Sequence, residues 1–170
     1  FADFNFGYNG SENFADGHRF GFFPAVSVAW NVAEEPIIKK NFKWMNMFKI
    51  RYSFGKVGND VLKIGNDEYR FPYLYTIKDD GSGWTWSDYG STDNVYTGMQ
   101  YTQLASNNVT WEIATKHDAG VDLSLFNDKF TATVDYFHET RDGIFMQRQS
   151  LPGTLGLSYL TPSANVGKVR

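Results

Sequence analysis

The chain has 170 residues, a net charge of −3, no cysteine and an 18% share of aromatic residues. The acidic balance offers no basic surface for nucleic acid. Thiol redox chemistry and cysteine-ligated metal sites are excluded, and no apolar run reaches the ~18 residues of a membrane helix. A membrane crossed by strands stays open, since such a strand needs only about ten residues with every second one apolar.

Ala2, Phe4, Phe6 and Tyr8 alternate with Asp3, Asn5 and Gly7, which predicts a strand. Asn9-Gly10-Ser11 opens a polar loop that reaches about Arg19. The next strand runs from Phe22 to Val32, with Pro24, Val26, Val28, Trp30 and Val32 on one face. Pro24 stands at its start, where a missing ladder donor is tolerated. Ala33-Glu34-Glu35-Pro36 breaks the pattern, and Ile37 to Asn46 has room for a short helical turn. From Met47 the alternation returns, with Phe48, Ile50, Tyr52 and Phe54 set against Lys49, Arg51, Ser53 and Gly55.

Lys56 to Val109 reads as a long irregular stretch. Gly58-Asn59-Asp60, Gly65-Asn66-Asp67, the run from Asp79 to Gly83 and Asp88-Tyr89-Gly90 are turn signals, with short local pairing expected near Tyr73 to Ile77. Thr110 to Tyr136 then carries the strongest periodicity in the chain. Trp111, Ile113, Thr115, His117, Ala119, Val121, Leu123 and Leu125 share one face. Glu112, Ala114, Lys116, Asp118, Gly120, Asp122 and Ser124 share the other. After a tight break at 126–129, Phe130, Ala132, Val134 and Tyr136 oppose Thr131, Thr133 and Asp135, and the strand continues to about Arg141. Asp142 to Ser163 reads as irregular, with a possible strand at Gly143 to Gln149, and a further strand starts at Ala164.

The connections alternate in kind. The stretches 9–19, 56–109 and 142–163 gather at one end, while 33–46 and the Asn127-Asp128 turn gather at the other. Long loops outside and short turns inside is the rule for outer-membrane barrels, although 33–46 is long for such a turn. Eleven residues at ~3.3 Å each give about 36 Å, and a tilt near 45° leaves about 25 Å across a membrane. The pattern predicts an all-β, antiparallel transmembrane β-barrel segment of about six strands with long extracellular loops. Phe1 already lies in alternation and Arg170 follows a strand start, so the chain reads as a segment of a longer one.

The run Arg19-Phe-Gly-Phe-Phe-Pro-Ala-Val-Ser-Val-Ala-Trp-Asn-Val-Ala-Glu-Glu35 resembles the SusC-like (RagA/SusC) TonB-dependent transporters of the Bacteroidota outer membrane. So do Lys49-Ile-Arg-Tyr-Ser-Phe-Gly-Lys-Val-Gly-Asn59, Thr110-Trp-Glu-Ile-Ala-Thr-Lys116 and Gly120-Val-Asp-Leu-Ser-Leu-Phe-Asn127. Thr133-Val-Asp-Tyr-Phe137 and Ala164-Asn-Val-Gly-Lys-Val169 complete the series. The motifs recur in order across nearly the whole chain. Tyr52 and Phe54 depart from the residues expected within Arg-x-Ser-x-Gly, at positions on the apolar phase. The resemblance implies that residues 1–170 are part of a large plugged barrel, drawn from its C-terminal half, with no plug domain present. It implies import of glycans, oligosaccharides or peptides, driven through TonB by way of the missing N-terminal part and covered by a SusD-like lipoprotein lid.

Candidate site residues follow. Trp84, Trp86 and Tyr89, with Tyr73 and Tyr75, are positioned to stack on cargo at the outer mouth, or to anchor the loop or meet the lid. Lys49, Arg51, Lys116, Asp118, Asp122 and Asp135 are expected to face the lumen, bonding one another or the plug. Trp30, Trp111 and Tyr136 are candidates for interfacial belts, and His117 for a place at or above the interface. Asp79, Asp80, Asp88 and Asp93 lack calcium-loop spacing and read as solvated turns. Neither a metal site nor a cofactor is expected. No triad, paired-acid site or phosphate loop stands out, so no enzyme is expected. The competing readings are a soluble β-sandwich carbohydrate-binding module gripping sugar through Trp84 and Trp86, and a β-rich hydrolase segment. A sandwich would bury Val26, Val121 and Val134 under a second sheet, whereas a barrel leaves them open.

Overall fold

The computed structural model describes residues 1–86, 94–148, 154, 160 and 162–170. Among these, ten strands form: β1 (Ala2–Gly10), β2 (Phe20–Asn31), β3 (Met45–Asn59), β4 (Leu62–Ile64), β5 (Asp67–Tyr69), β6 (Thr76–Trp86), β7 (Asn94–Gln103), β8 (Glu112–Leu125), β9 (Phe130–Gln147) and β10 (Ser163–Val169). Six of them make one antiparallel sheet in the order β1-β2-β3-β8-β9-β10. The hairpins β4–β5 and β6–β7 are inserted between β3 and β8.

Register carries the sequence alternation across the sheet. Trp30 lies opposite Ile50, Ile50 opposite Val121 and Val121 opposite Val134, so an apolar row spans four strands. Val26, Val121 and Val134 are 38%, 37% and 68% exposed. Among the described residues no second sheet covers this face, which removes the β-sandwich reading. An apolar surface this continuous needs a partner other than water.

The short-turn end is built locally. A 3-10 turn over Val32–Glu34 leads into α1 (Pro36–Asn41), the helical turn expected in that stretch. Proline in the first turn suits a position whose N–H has no helical partner. At the hairpin between β8 and β9, Phe126, Asn127 and Asp128 all adopt positive φ, of 54°, 57° and 64°. Asn and Asp tolerate that region better than Phe does. The Phe126 N–H donates to the Trp44 carbonyl at 2.8 Å, and the Asn127 N–H donates to Asn46 Oδ1 at 3.1 Å. The two rings of Trp44 and Phe126 stack with centroids 5.8 Å apart, and Ser124 Oγ donates to Asp128 Oδ1. These contacts hold a turn conformation that Phe126 alone would resist.

The long-loop end departs from the sequence reading in three places. The stretch 56–109 is not structureless: β3 extends to Asn59, and two hairpins follow. Its turn-rich composition hid β6 and β7, because register shifts at Ile77, Gly81 and Trp84 interrupt their alternation. The possible strand at Gly143 to Gln149 is no separate element. β9 passes through Gly143 (φ 76°) as one 18-residue strand, so a left-handed residue resets the phase without ending it. Trp111 is not a belt residue. It is 8% exposed and packs with Phe14, Phe23, Leu62, Val109 and Phe145. Its indole N–H donates to the Arg19 carbonyl at 3.2 Å, tying β8 to the β1–β2 loop. The Phe23 ring lies across Gly21 and Gly58, where a β-carbon would collide with it. This cluster is the main apolar core among the described residues, and it sits under the loops rather than inside the sheet.

Candidate functional site

The face opposite the aliphatic rows carries a charged network centred on Arg51. Arg51 on β3 lies opposite Gly120 on β8, and Gly120 lies opposite Asp135 on β9. With no side chain at Gly120, the guanidinium crosses β8. Its Nη2 donates to Asp135 Oδ1 at 2.6 Å and reaches Asp122 Oδ1 at 3.4 Å. Its Nε stands 3.2 Å from Asp122 Oδ2, at ion-pair distance without hydrogen-bond alignment. Thr133 Oγ1 donates to Asp122 Oδ1 at 3.1 Å and fixes that carboxylate. A β-carbon at Gly120 would meet Asp135 Oδ1 and would stand 2.7 Å from Arg51 Nε.

Further toward the loops the network continues. Lys116 Nζ lies 3.5 Å from Glu139 Oε2, and Arg141 Nε donates to Glu139 Oε1 at 2.6 Å. Arg141 Nη1 lies 3.7 Å from Glu112 Oε1, and Asn59 Nδ2 donates to Glu112 Oε2 at 3.3 Å. The side chains are largely half-exposed, so solvent screening leaves each pair a small contribution of its own. Their arrangement matters more than their strength, because it is a water-compatible surface built into one face only.

Of the residues expected on this face, Arg51, Asp122 and Asp135 form one cluster, and Lys116 belongs to the second. Lys49 lies opposite Asp122, and Asp118 lies opposite Ser53 and Phe137, on the same face by register. Glu139 and Arg141 escaped the sequence reading, while Glu112 and Gly120 were placed on this face but given no role. Glu139 and Arg141 continue the two-residue spacing of Asp135, which was the available signal. Among the described residues no group of three or more His, Asp or Glu side chains is placed to hold a metal.

The aromatic candidates gather on and before the β6–β7 hairpin. Trp84 and Trp86 are strand residues whose backbones lie opposite Tyr96 and Asn94. Tyr75 is exposed and packs edge-on against Tyr101, with centroids 6.3 Å apart. Tyr73 packs edge-on against Phe71 at 6.2 Å. Tyr89, with Asp88 and Asp93, lies outside the described residues.

The family model described as "TonB dependent receptor-like, beta-barrel" matches residues 2–170. The chain belongs to this family. TonB-dependent receptor P3 of Formosa agariphila is 26% identical over 161 residues, which are 95% of this chain and 14% of that protein. TonB-dependent receptor SusC of Bacteroides thetaiotaomicron is 27% identical over 140 residues, 82% of this chain and 13% of SusC. The RagAB peptide importer in its open-open state has a chain that superposes with a TM-score of 0.69 at 20% identity. That match covers 98% of this chain and 16% of the importer's, and at this identity it shows the fold alone. The six-stranded sheet is therefore a piece of TonB-dependent receptor barrel wall, an outer-membrane structure not closed within these residues. The chain spans about a seventh of the length of such relatives.

Proposed function

We propose that this chain supplies wall strands and outer-mouth loops to a TonB-dependent importer of glycans, oligosaccharides or peptides. The observation that carries the reading is one in-register sheet with open aliphatic rows on one face and a bonded ionic network on the other. Lipid suits the first face, and water or a plug suits the second. In this reading Lys49, Arg51, Lys116, Asp118, Asp122 and Asp135 line the lumen. The long connections are extracellular and the Asn127-Asp128 turn is periplasmic. Trp84, Trp86 and Tyr89, with Tyr73 and Tyr75, meet cargo or the lid at the mouth. The partners are a SusD-like lipoprotein lid and, through residues outside this chain, TonB. Similarity to SusC and to the RagAB peptide importer supports pairing with a lid and import rather than catalysis.

The test is uptake by cells carrying the full-length protein. Labelled oligosaccharide and labelled peptide libraries are offered with and without TonB. Accumulation of one class that needs both the protein and TonB is the expected result. Recovery of the protein in the soluble fraction, or uptake indifferent to TonB, overturns the proposal.

A further inference from the structure

The aliphatic face changes character in steps along three adjacent strands. In the row Ile50, Val121 and Val134 every side chain is apolar. One step toward the loops the row is Tyr52, Ala119 and Tyr136, and both tyrosines are exposed. The next is Phe54, His117 and His138, and the one after is Lys56, Thr115 and Thr140. Tyrosines flanking a band of aliphatics mark the edge of the hydrocarbon. Eight residues separate His138 from Phe130, which at ~3.3 Å each and a tilt of 35–45° is roughly 20 Å of height, close to the ~25 Å of such a band. The histidines therefore stand at headgroup level.

Their polar atoms are gathered into one place. His117 Nδ1 is 2.8 Å from the Tyr52 hydroxyl, and His138 Nε2 is 3.3 Å from Thr140 Oγ1. The two imidazoles lie directly opposite each other across β8 and β9, with ring centroids 6.4 Å apart. The Phe54 ring packs against His117 at 5.0 Å and walls one side. By register, Lys56 adds an ammonium group on the same face. The nearest carboxylate on this face of β3, β8 and β9 is Asp142, held by Lys168 at 2.7 Å. Two imidazoles, an ammonium and hydroxyls thus share a lipid-level patch with no free acid among the described residues. β3 and β8 are interior strands of the sheet, and β10 pairs with β9 only from Arg141 to Gln147, so the patch lies on the open face of the wall just below that pairing.

We propose that Lys56, His117 and His138, framed by Tyr52 and Thr140, form an outer-surface site for the phosphate of an anionic lipid headgroup. The site rests on the barrel reading above, since it needs this face to meet lipid. Its chemistry is that of basic side chains donating to phosphate oxygens at a membrane surface.

The experiment uses the full-length transporter purified from outer membranes in detergent. It is mixed with dioleoylphosphatidic acid or dioleoylphosphatidylcholine, and retained lipid is counted by native mass spectrometry. Wild type is expected to retain phosphatidic acid over phosphatidylcholine. Lys56→Ala/His117→Ala/His138→Ala is expected to retain it at least about fivefold more weakly, the loss for one basic group at a membrane surface. Lys39→Ala at the opposite end of the sheet serves as the unaffected control. If the triple alanine variant fails to fold, judged by heat-modifiable migration, Lys56→Gln/His117→Gln/His138→Gln replaces it. Equal retention by wild type and variant overturns the site. So does loss of all retained lipid to millimolar inorganic phosphate, which would mean an anion site indifferent to lipid. Absence of the protein from outer-membrane fractions is scored first, and that failure belongs to the barrel reading instead.

Discussion

Val134 offers the sharpest contrast between the two faces. It is 68% exposed in the first half of β9, and its row neighbours Val121 and Ile50 are apolar. Four residues separate it from Phe130, roughly 10 Å of height at the usual rise and tilt, which is near the centre of the apolar band. Val134→Arg puts a guanidinium into hydrocarbon with no carboxylate on its own face within reach among the described residues. Arginine near the midplane of a barrel's lipid face costs about 2–4 kcal/mol. Thr131→Arg puts the same group on the ionic face of the same strand, where water or acid solvates it, and is expected to cost under about 1 kcal/mol. The assay is the urea midpoint of the full-length barrel in lipid vesicles, followed by heat-modifiable migration. A lowered midpoint for Val134→Arg with little change for Thr131→Arg is expected. The reverse order would refute the assignment of faces, and equal effects would show that neither face meets lipid.

Three further outcomes follow from particular contacts. Gly120→Val should cost about 1–3 kcal/mol and so lower the same midpoint, since its side chain displaces the Arg51 guanidinium from Asp135. A double-mutant cycle between Arg51→Ala and Asp135→Ala should return a small favourable coupling, at the low end seen for solvent-screened pairs. Trp111→Ala removes a buried ring from the loop-base cluster and should cost about 3–5 kcal/mol locally. Limited proteolysis is expected to report it as faster cutting within residues 60–110, with the barrel still folded.

Much of this architecture was legible because a sheet with two different solvents writes its alternation into the sequence. β2, β3, β8 and the first half of β9 each keep a strict two-residue period, and their observed registers preserve it. The outward phase of Tyr136 was readable for the same reason. Trp111 was misread because its phase continues that of β8, while its environment is set by Phe14 and Phe23 from distant parts of the chain. Alternation gives a face, but it does not say where along a strand the membrane stops. β6 and β7 were hidden because glycines and register shifts break their period. On the ionic face, charge signs were visible, but Gly120 as the seat for Arg51 was not. That role depends on a cross-strand register linking residues 51, 120 and 135.

The central claim is that in the first half of β9, from Phe130 to Tyr136, even-numbered residues meet lipid while odd-numbered ones meet water. The direct measurement is spin-label accessibility along residues 130–137 of the full-length protein in membranes. Single cysteines are introduced into a background with no other cysteine, and collision with oxygen is compared with collision with a water-soluble nickel complex. The account predicts a two-residue period, with oxygen dominant at 130, 132, 134 and 136 and nickel gaining at 131, 133 and 135. A flat profile, or nickel dominant at 134 and 136, would contradict it.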